Sequence, residues 1–280
     1  MALILAATPL GNPADASPRL KSAIESAEII AAEDSRRFHR LCSDIEVTFT
    51  GRIISFFEGN ETERTKEVLE LLRQGKNVLV VSDAGMPTIS DPGFRLMRDA
   101  IAENFDVKVI PGPSAPTMAV ALSGLPTDRF TFEGFLPRAV GARRSTLDAL
   151  RFEERTMVFF EAPHRLKESL EDALAVFGPE RKGAICREMT KTYEETIRGT
   201  MKELFDWAAK TEVLGEITLV IEGATAGTAE KTADEMVARV REFEAAGMDR
   251  KSAIATVADE FELPKRTVYA AVVDANKMNP

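Results

Sequence analysis

Three loops rich in glycine and proline follow apolar runs in the first half of the chain, and they carry side chains suited to binding a small ligand. They span residues 8–13 (TPLGNP), 82–93 (SDAGMPTISDPG) and 111–116 (PGPSAP). Glycine lets the backbone approach a ligand closely, and such loops offer amide N–H groups to its polar atoms. One loop alone is more typical of a tight turn. Three loops at corresponding strand ends favour a ligand site.

Two arginine clusters indicate a second kind of chemistry, the binding of phosphate groups. One cluster is SRRFHR at 35–40, and the other is PRAVGARRSTLDALR at 137–151, with four arginines against one aspartate. Because both clusters lie next to the other motifs, we expect them to frame a track for RNA phosphates. A solvated charged face is the usual alternative. The candidate RNA contacts are Arg36, Arg37, Arg138, Arg143 and Arg144, together with Lys265 and Arg266 near the C-terminus.

The total charge limits what these clusters can do. The chain has 36 Lys and Arg against 45 Asp and Glu, a net charge of −9, which excludes indiscriminate coating of nucleic acid. Cys42 and Cys186 are too few for a disulfide scaffold, and with two histidines they are too few for a Cys/His zinc site. We predict no metal site, although a carboxylate-bound metal stays open. With no apolar run near the roughly 20 residues of a membrane span and no signal peptide, we predict a cytoplasmic protein.

Alternating strands and helices must position the loops. Through residue 122 the pattern predicts the following series: strand 2–7, helix 17–27, strand 29–32, helix 60–74, strand 77–81, helix 91–103, strand 107–110 and helix 114–122. Repeated β–loop–α units of this kind predict a mostly parallel sheet with right-handed crossovers.

A second α/β unit follows, with a mixed sheet. Its strands are predicted at 130–132, 157–160, 183–188, 193–198 and 217–221, with a hairpin joining the third and fourth, and its helices at 165–177 and 204–209. Segment 134–146 is typical of a linker or mobile loop, and 223–232 of a linker. Helices are predicted at 233–245, 251–261 and 265–275. We therefore predict two α/β domains, 1–125 and 126–224, and a small helical C-terminal extension, 233–280.

The motifs then identify a family. No G-x-G-x-x-G follows the first strand and no P-loop motif is present, which disfavours NAD enzymes and P-loop NTPases. Eight segments resemble, in order, the signatures of the ribosomal RNA small subunit methyltransferase I family, in the tetrapyrrole-methylase-like (class III) enzymes that use S-adenosylmethionine (SAM). They are ATPLGNPAD, AAEDSR, VSDAGMPTISDPG, PGPSAP, GLPTDRFTFEGFLPR, FFEAPHRL, REMTKTYEE and GEITLVIEG. The match spans nearly the whole chain. The chain departs from the family pattern at Ala7, Pro13, Met86 and Phe160, where Pro, Leu, Thr and Tyr are usual.

The resemblance implies a fold, a reaction and a set of binding residues. It implies SAM bound in a cleft between the two α/β domains, a homodimer, and methyl transfer to the ribose 2′-hydroxyl of a cytidine in the decoding centre of 16S rRNA in the small ribosomal subunit. Asp83 would hold the amino group or ribose of SAM, and its alternative is a turn-forming aspartate. The implied cofactor-binding residues are Leu10, Gly11, Asp83, Gly85, Met86, Ser114, Ala115, Phe160, Ile217 and Thr218.

A ribose hydroxyl is a weak nucleophile, so a general base would help the transfer. The pair Glu161 and His164 follows a strand, and we predict that it acts as base and orienting partner. The alternative is that these residues cap the next helix or pair with Arg165. The sequence does not choose between this pair and the other candidates, which are Glu33, Asp34, Glu188 and Lys191.

Two other functions compete with this prediction. A methylase of a tetrapyrrole or another small metabolite shares the fold, but a small substrate needs neither the arginine clusters nor the helical extension. A ligand-sensing DNA-binding regulator is suggested by the helix pair at 251–273, which resembles a helix-turn-helix. The excess of acidic over basic residues after Gly223 disfavours that regulator.

Overall fold

The first sheet has five parallel strands, and the alternating pattern predicts four of them together with their parallel arrangement. A computed structural model describes residues 1–226, 228–261 and 263–278. Its compact units are an α/β unit, residues 1–148 with 156–222, and a helical unit, residues 149–155 with 223–280. The first sheet has the order β3-β2-β4-β1-β5, and its strands are β1 (Ala2–Ala6), β2 (Ile29–Ala32), β3 (Arg52–Ser55), β4 (Val78–Val81) and β5 (Asp106–Ile110).

Helices connect these strands and cover both faces of the sheet. They are α1 (Pro18–Ser26), α2 (Ser35–Asp44), α3 (Glu61–Arg73) and α4 (Phe94–Ala102), and α5 (Ala115–Ser123) follows β5. Successive residues of a strand alternate between two apolar clusters: Leu5 and Val80 lie in one, and Ala6 and Val81 in the other. The continuous apolar runs of β1 and β4 are therefore those of strands buried on both sides. Ser17 caps α1 by accepting a hydrogen bond from the amide of Leu20.

The second sheet is mixed, also as predicted. Its order is β6-β7-β10-β8-β9, with β6 parallel to β7 and the other pairs antiparallel. The strands are β6 (Phe130–Phe135), β7 (Thr156–Glu161), β8 (Lys182–Arg187), β9 (Glu195–Thr200) and β10 (Ile217–Ile221), and the helices are α6 (Val140–Ala149), α7 (Leu166–Phe177) and α8 (Met201–Lys210). The predicted hairpin is β8–β9. Helix α5 packs on this sheet, because Ala119 and Val120 share a core with Val158 and Val220.

The structure differs from the prediction at three places in the α/β unit. Residues 35–44 form α2 and residues 52–55 form β3, where no element was predicted. The prediction of a linker or mobile loop at 134–146 is wrong, because the segment contains the end of β6 and most of α6. Helix α6 is anchored by the buried side chains of Arg143 and Leu147. An arginine on a buried helix face does not register as part of an apolar pattern, which is why the helix was not predicted.

The helical unit contains three helices among its described residues. They are α9 (Thr228–Ala245), α10 (Arg250–Glu260) and α11 (Lys265–Met278), so α9 begins inside the segment predicted as a linker. Their core includes Met236, Val240, Val257 and Val268. The predicted domain limits at 125 and 224 stay a prediction. Gly227, Glu262, Asn279 and Pro280, which belong to the predicted linker and extension, lie outside the described residues.

Candidate active site

A cavity of about 430 Å³ lies between the two sheets of the α/β unit, within the range usual for small-molecule sites. The first half of the chain contributes residues from the loops after β1, β2 and β4 and from the first turns of α2 and α5: Leu10, Glu33, Arg37, Asp83, Asp91 and Ala115. The second sheet contributes the ends of β6 and β7, the loop after β8 and the start of β10: Phe135, Phe160, Glu161, Met189, Glu216 and Thr218. The carboxyl ends of the parallel strands thus meet at the cavity, as the three glycine- and proline-rich loops predicted.

A wall of carboxylates forms one side of the cavity, and hydrogen bonds fix it in place. Oδ1 of Asp83 accepts from the amide of Asp34 at 3.0 Å, and Oε2 of Glu33 accepts from the amide of Asp83 at 3.1 Å. Nε of Arg37 lies 3.4 Å from Oδ2 of Asp83. These reciprocal bonds tie the loop after β2 to the loop after β4, so the carboxylates are held before any ligand arrives.

The wall is strongly acidic. Burial, followed by the charge of Glu33, raises the pKa of Asp91 to about 7, although a hydrogen bond with Ser82 acts in the opposite direction. Burial also raises the pKa values of Glu33 and Asp83. With Glu161 and Glu216 from the second sheet, five carboxylates line the cavity, and Arg37 is the guanidinium among its lining residues. Such a wall fits a ligand that brings positive charge, because a cation nearby favours the ionised carboxylates.

The raised pKa of Asp91 predicts a pH-dependent stability. The folded protein binds the Asp91 proton more tightly than the unfolded chain, so this residue stabilises the fold at low pH and that contribution is lost as the pH rises through about 7. We therefore expect Asp91→Asn to gain stability relative to the parent protein between pH 5 and 8. Urea unfolding of both proteins at the two pH values measures this difference. A constant difference across this range would contradict the assignment, and Asp99→Asn, at a partly exposed aspartate on α4, is the control.

The loops beside the cavity interlock through main-chain contacts. The amides of Thr8 and Gly85 each donate to the other's carbonyl, at 2.9 and 3.1 Å. Gly85 has a φ of +79°, which favours glycine. A Cβ on Gly11 would lie 2.2 Å from Cγ of Lys191, so this glycine permits a close approach between the loops after β1 and β8. Loop packing at Gly11 and backbone conformation at Gly85 therefore account for glycine at these two positions without any ligand.

The predicted cofactor residues divide into two groups. Six of the ten line the cavity: Leu10, Asp83, Ala115, Phe160, Ile217 and Thr218. The other four, Gly11, Gly85, Met86 and Ser114, lie in the same loops, outside the set that lines the cavity. Ser114 occupies the N-cap position of α5, although its side chain makes no capping hydrogen bond.

Glu161 and His164 occupy very different environments. Glu161 lines the cavity, but its side chain is 0% exposed and three donors surround its carboxylate. These are the Ala162 amide at 2.8 Å, the Ser169 hydroxyl at 2.5 Å and Nε of Arg165 at 3.4 Å. His164 is exposed in the short helical turn Pro163–Arg165, outside the cavity wall. The alternative expectation, an ion pair with Arg165, describes the observed contacts of Glu161.

The predicted RNA-contacting arginines also separate by environment. Arg36 and Arg37 are exposed on α2 and pair with Asp34 and Asp83, respectively. Arg138 is exposed, and the side chain of Arg144 is 61% exposed with its Nε 2.6 Å from Asp172.

Arg143 departs from the expectation of a phosphate contact. Its side chain is 2% exposed and its Nε donates to Asp172 at 2.7 Å, so the guanidinium faces the protein interior. Lys265 and Arg266 lie in the helical unit, exposed in the first turn of α11.

Asp91 and Phe135 are among the residues of the cavity wall that sequence reasoning missed. Both lie in motifs that were recognised, Asp91 in SDPG and Phe135 in FEGFLPR.

Within residues 1–226, 228–261 and 263–278, no cluster of three or more His, Cys, Asp or Glu is arranged to hold a metal ion. In the same described ranges no helix combines the length and apolar character needed to cross a membrane.

Comparison with known proteins agrees with the fold and the motifs. The family model described as Tetrapyrrole (Corrin/Porphyrin) Methylases matches residues 2–204. Ribosomal RNA small subunit methyltransferase I of Mycobacterium bovis is 47% identical over 276 residues, which cover 98% of this chain and 95% of that protein. The protein of the same name from Thermotoga maritima is 45% identical over 221 residues, covering 79% of this chain and 98% of its own length.

The fold itself is similar to that of solved methyltransferases. Uroporphyrin-III C-methyl transferase from Thermus thermophilus, complexed with S-adenyl homocysteine, superposes with a TM-score of 0.56 at 15% identity and covers 79% of this chain and 96% of its own. At this identity the likeness shows the fold alone. The full-length relative and the family model together carry the family assignment.

Proposed function

The chain belongs to the tetrapyrrole (corrin/porphyrin) methylase family, and from this membership we propose that it is a SAM-dependent methyltransferase of small-subunit ribosomal RNA. The observation that carries the proposal is the cavity between the two sheets, with the carboxylates of Glu33, Asp83 and Asp91 on the side of the first sheet and the ring of Phe160 on the side of the second. The finer part of the proposal is the target, the ribose 2′-hydroxyl of a cytidine in the decoding centre of 16S rRNA. The family resemblance of the motifs supports that target.

The cavity fits SAM in size and in charge. SAM joins a sulfonium and an ammonium group to a carboxylate, a ribose and an adenine, and its net charge is positive. Asp83 and Asp91 would hold its cationic groups, and the side chains of Leu10 and Phe160 would form the apolar slot. Ala115 opens α5, where main-chain N–H groups point out of the helix toward a carboxylate. When bound, SAM supplies an electrophilic methyl group.

The residues of this chain contribute mainly by positioning. Methyl transfer is an in-line displacement, so holding the hydroxyl opposite the methyl group provides much of the rate. The carboxylates are already oriented by Arg37 and by main-chain amides, which spares the reorganisation that a flexible wall would need. Glu161 and His164 stay our proposed base and orienting partner, and the substitutions of Glu161 described in the Discussion test that role.

The decisive experiment maps the transferred methyl group. The protein is incubated with labelled SAM and small ribosomal subunits from cells that lack the modification, and the label is located by nuclease digestion. We expect label on one ribose of the small-subunit rRNA, and none on subunits that already carry the modification. Label on a base would contradict the ribose target, and label only on a metabolite or on DNA would contradict the rRNA function.

Phosphate contacts by the exposed arginines predict a salt-dependent affinity. We expect Arg144→Ala to weaken binding of the small subunit and to reduce the slope of log affinity against log salt by about 0.7 for a lost single-strand phosphate contact. Arg98→Ala is the matched control, because the Arg98 side chain is also 61% exposed and also paired with an aspartate. Equal slopes of log affinity against log salt for the two variants would show that Arg144 makes no phosphate contact.

Two further proposals rest on the family resemblance. We propose that the enzyme is a homodimer and acts in the cytoplasm, where ribosomal subunits are assembled. Sedimentation velocity at micromolar concentration tests the first, and a monomer would contradict it. Fractionation of cells expressing the tagged protein tests the second.

A further inference from the structure

An exposed aromatic ring at the cavity has no role in the function described so far. Phe135 lines the cavity and is 56% exposed, whereas its neighbour Phe160 is only partly exposed. The centroids of the two rings are 5.5 Å apart in an edge-to-face arrangement, and Phe132 packs on the other flank of Phe160 at 4.8 Å. Phe160 is thus enclosed by aromatic neighbours, and Phe135 is the ring that is open to solvent.

A β-bulge directs Phe135 to this position. The register between β6 and β7 shifts after Phe132, so that Glu133 is the extra residue, and Gly134 has a φ of +69°. In a regular strand, residues 132 and 135 would point to opposite faces. The bulge places both rings against Phe160. Bulges of this kind are frequent beside active sites, where they re-aim a side chain.

Hydrogen bonds from Arg165, which pairs with the buried Glu161, hold the segment that follows Phe135. Nη2 of Arg165 donates to the carbonyls of Leu136 and Pro137 at 2.6 and 3.1 Å. Arg165 is held in turn by the buried carboxylate of Glu161. These hydrogen bonds fix the backbone next to Phe135. They therefore hold its exposed aromatic ring, a flat apolar surface, in position at the cavity.

The surroundings of Phe135 favour a nucleobase of the substrate as its partner. The carboxylate wall of the cavity repels phosphate, whereas Arg37 at the cavity and the exposed Arg138, three residues after Phe135, attract it. Enzymes that modify a nucleotide commonly stack the unpaired base on an aromatic ring, because every base has a π-face. Phe160, which is less exposed, is the ring left for the adenine of the cofactor.

We propose that Phe135 is the stacking platform for the base of the target nucleotide, and that Arg165 is a positioning residue for this platform. The inference rests on the proposed rRNA function. It adds a specific subsite to that function, formed by the bulge in β6.

The test separates binding of RNA from binding of the cofactor. Phe135→Ala and Phe135→Trp are compared with the parent protein and with Phe130→Ala, a control on the same strand and outside the cavity wall. S-adenosylhomocysteine binding is measured by calorimetry. Binding of unmodified small subunits is measured by anisotropy of the dye-labelled enzyme in the presence of S-adenosylhomocysteine, so that neither readout depends on turnover.

We expect Phe135→Ala to weaken subunit binding about 5- to 100-fold, the usual cost of a lost base–aromatic stack. The Trp variant should restore binding, and the affinity for S-adenosylhomocysteine should stay unchanged. Loss of S-adenosylhomocysteine affinity with intact subunit binding would assign the ring to the cofactor and overturn the inference. Unchanged binding of both would overturn it as well. If the parent protein binds S-adenosylhomocysteine but neither binds nor methylates subunits, the proposed function itself has failed.

Discussion

Asp172→Ala should lower the free energy of unfolding by about 3 to 5 kcal/mol, the usual cost of leaving a buried charge without its partner. Asp172 on α7 is buried, and its two oxygens accept from Nε of Arg143 and Nε of Arg144 at 2.7 and 2.6 Å. Arg143 would keep only the carbonyl of Arg138 at 3.5 Å and the exposed carboxylate of Glu168 at 3.6 Å. Urea unfolding followed by circular dichroism measures the loss.

The matched control for this prediction is the other arginine of the same carboxylate. Arg144→Ala removes an exposed partner and leaves the buried Asp172 carboxylate paired with Arg143, so we expect little change in stability. If Arg144→Ala were as destabilising as Asp172→Ala, the burial of the Arg143 pair would not be the reason. The comparison also explains why the RNA-binding experiment uses Arg144 and not Arg143. A substitution of the buried Arg143 would disrupt α6, so a loss of RNA binding would not identify a phosphate contact.

Glu161→Ala should lower the free energy of unfolding by about 3 to 5 kcal/mol, as expected for Asp172→Ala, because it removes the buried partner of Arg165. It also removes the acceptor for the Ser169 hydroxyl and the Ala162 amide. We further expect weaker subunit binding in this variant, since the carbonyls of Leu136 and Pro137 depend on a fixed Arg165. Unfolding in urea and the subunit anisotropy titration measure the two effects.

Glu161→Gln separates the two roles considered for this residue. Glutamine keeps the size and one oxygen acceptor but loses the charge. If Glu161 is the proton acceptor, turnover should fall sharply while KM for the subunit stays constant. If it is a positioning residue, stability and KM should change more than kcat. Glu168→Gln, an exposed carboxylate on the same helix as Ser169, is the control.

Strands β1, β2 and β4 of the parallel sheet could be predicted because they are buried on both faces and their sequences are apolar throughout. Helix α2 was missed for the opposite reason. Its buried residues, Phe38 and Cys42, have helical spacing, but three arginines and a histidine hide that pattern. In α6, Arg143 occupies a core position through an ion pair with a residue 29 positions away. A pairing over that distance leaves no trace in local sequence.

The position of the cavity was predictable, and part of its wall was not. Loops at the carboxyl ends of parallel strands must meet at one edge, which locates Leu10, Asp83 and Ala115. Phe135 reaches the cavity only because Glu133 is bulged out of the ladder, and alternation along a strand predicts the other face. Asp91 owes its raised pKa to tertiary burial, which its loop sequence does not reveal.

The carboxylate wall also bears on what happens after the methyl group has left. SAM enters with a net positive charge, and the demethylated product is neutral because its sulfur no longer carries one. With SAM in the cavity, as proposed, Glu33, Asp83, Asp91 and Glu216 would attract the reactant more strongly than the product. The affinity of the cavity for the cofactor would then fall once the methyl group is transferred, which would favour exchange of the product for a new SAM molecule over product inhibition.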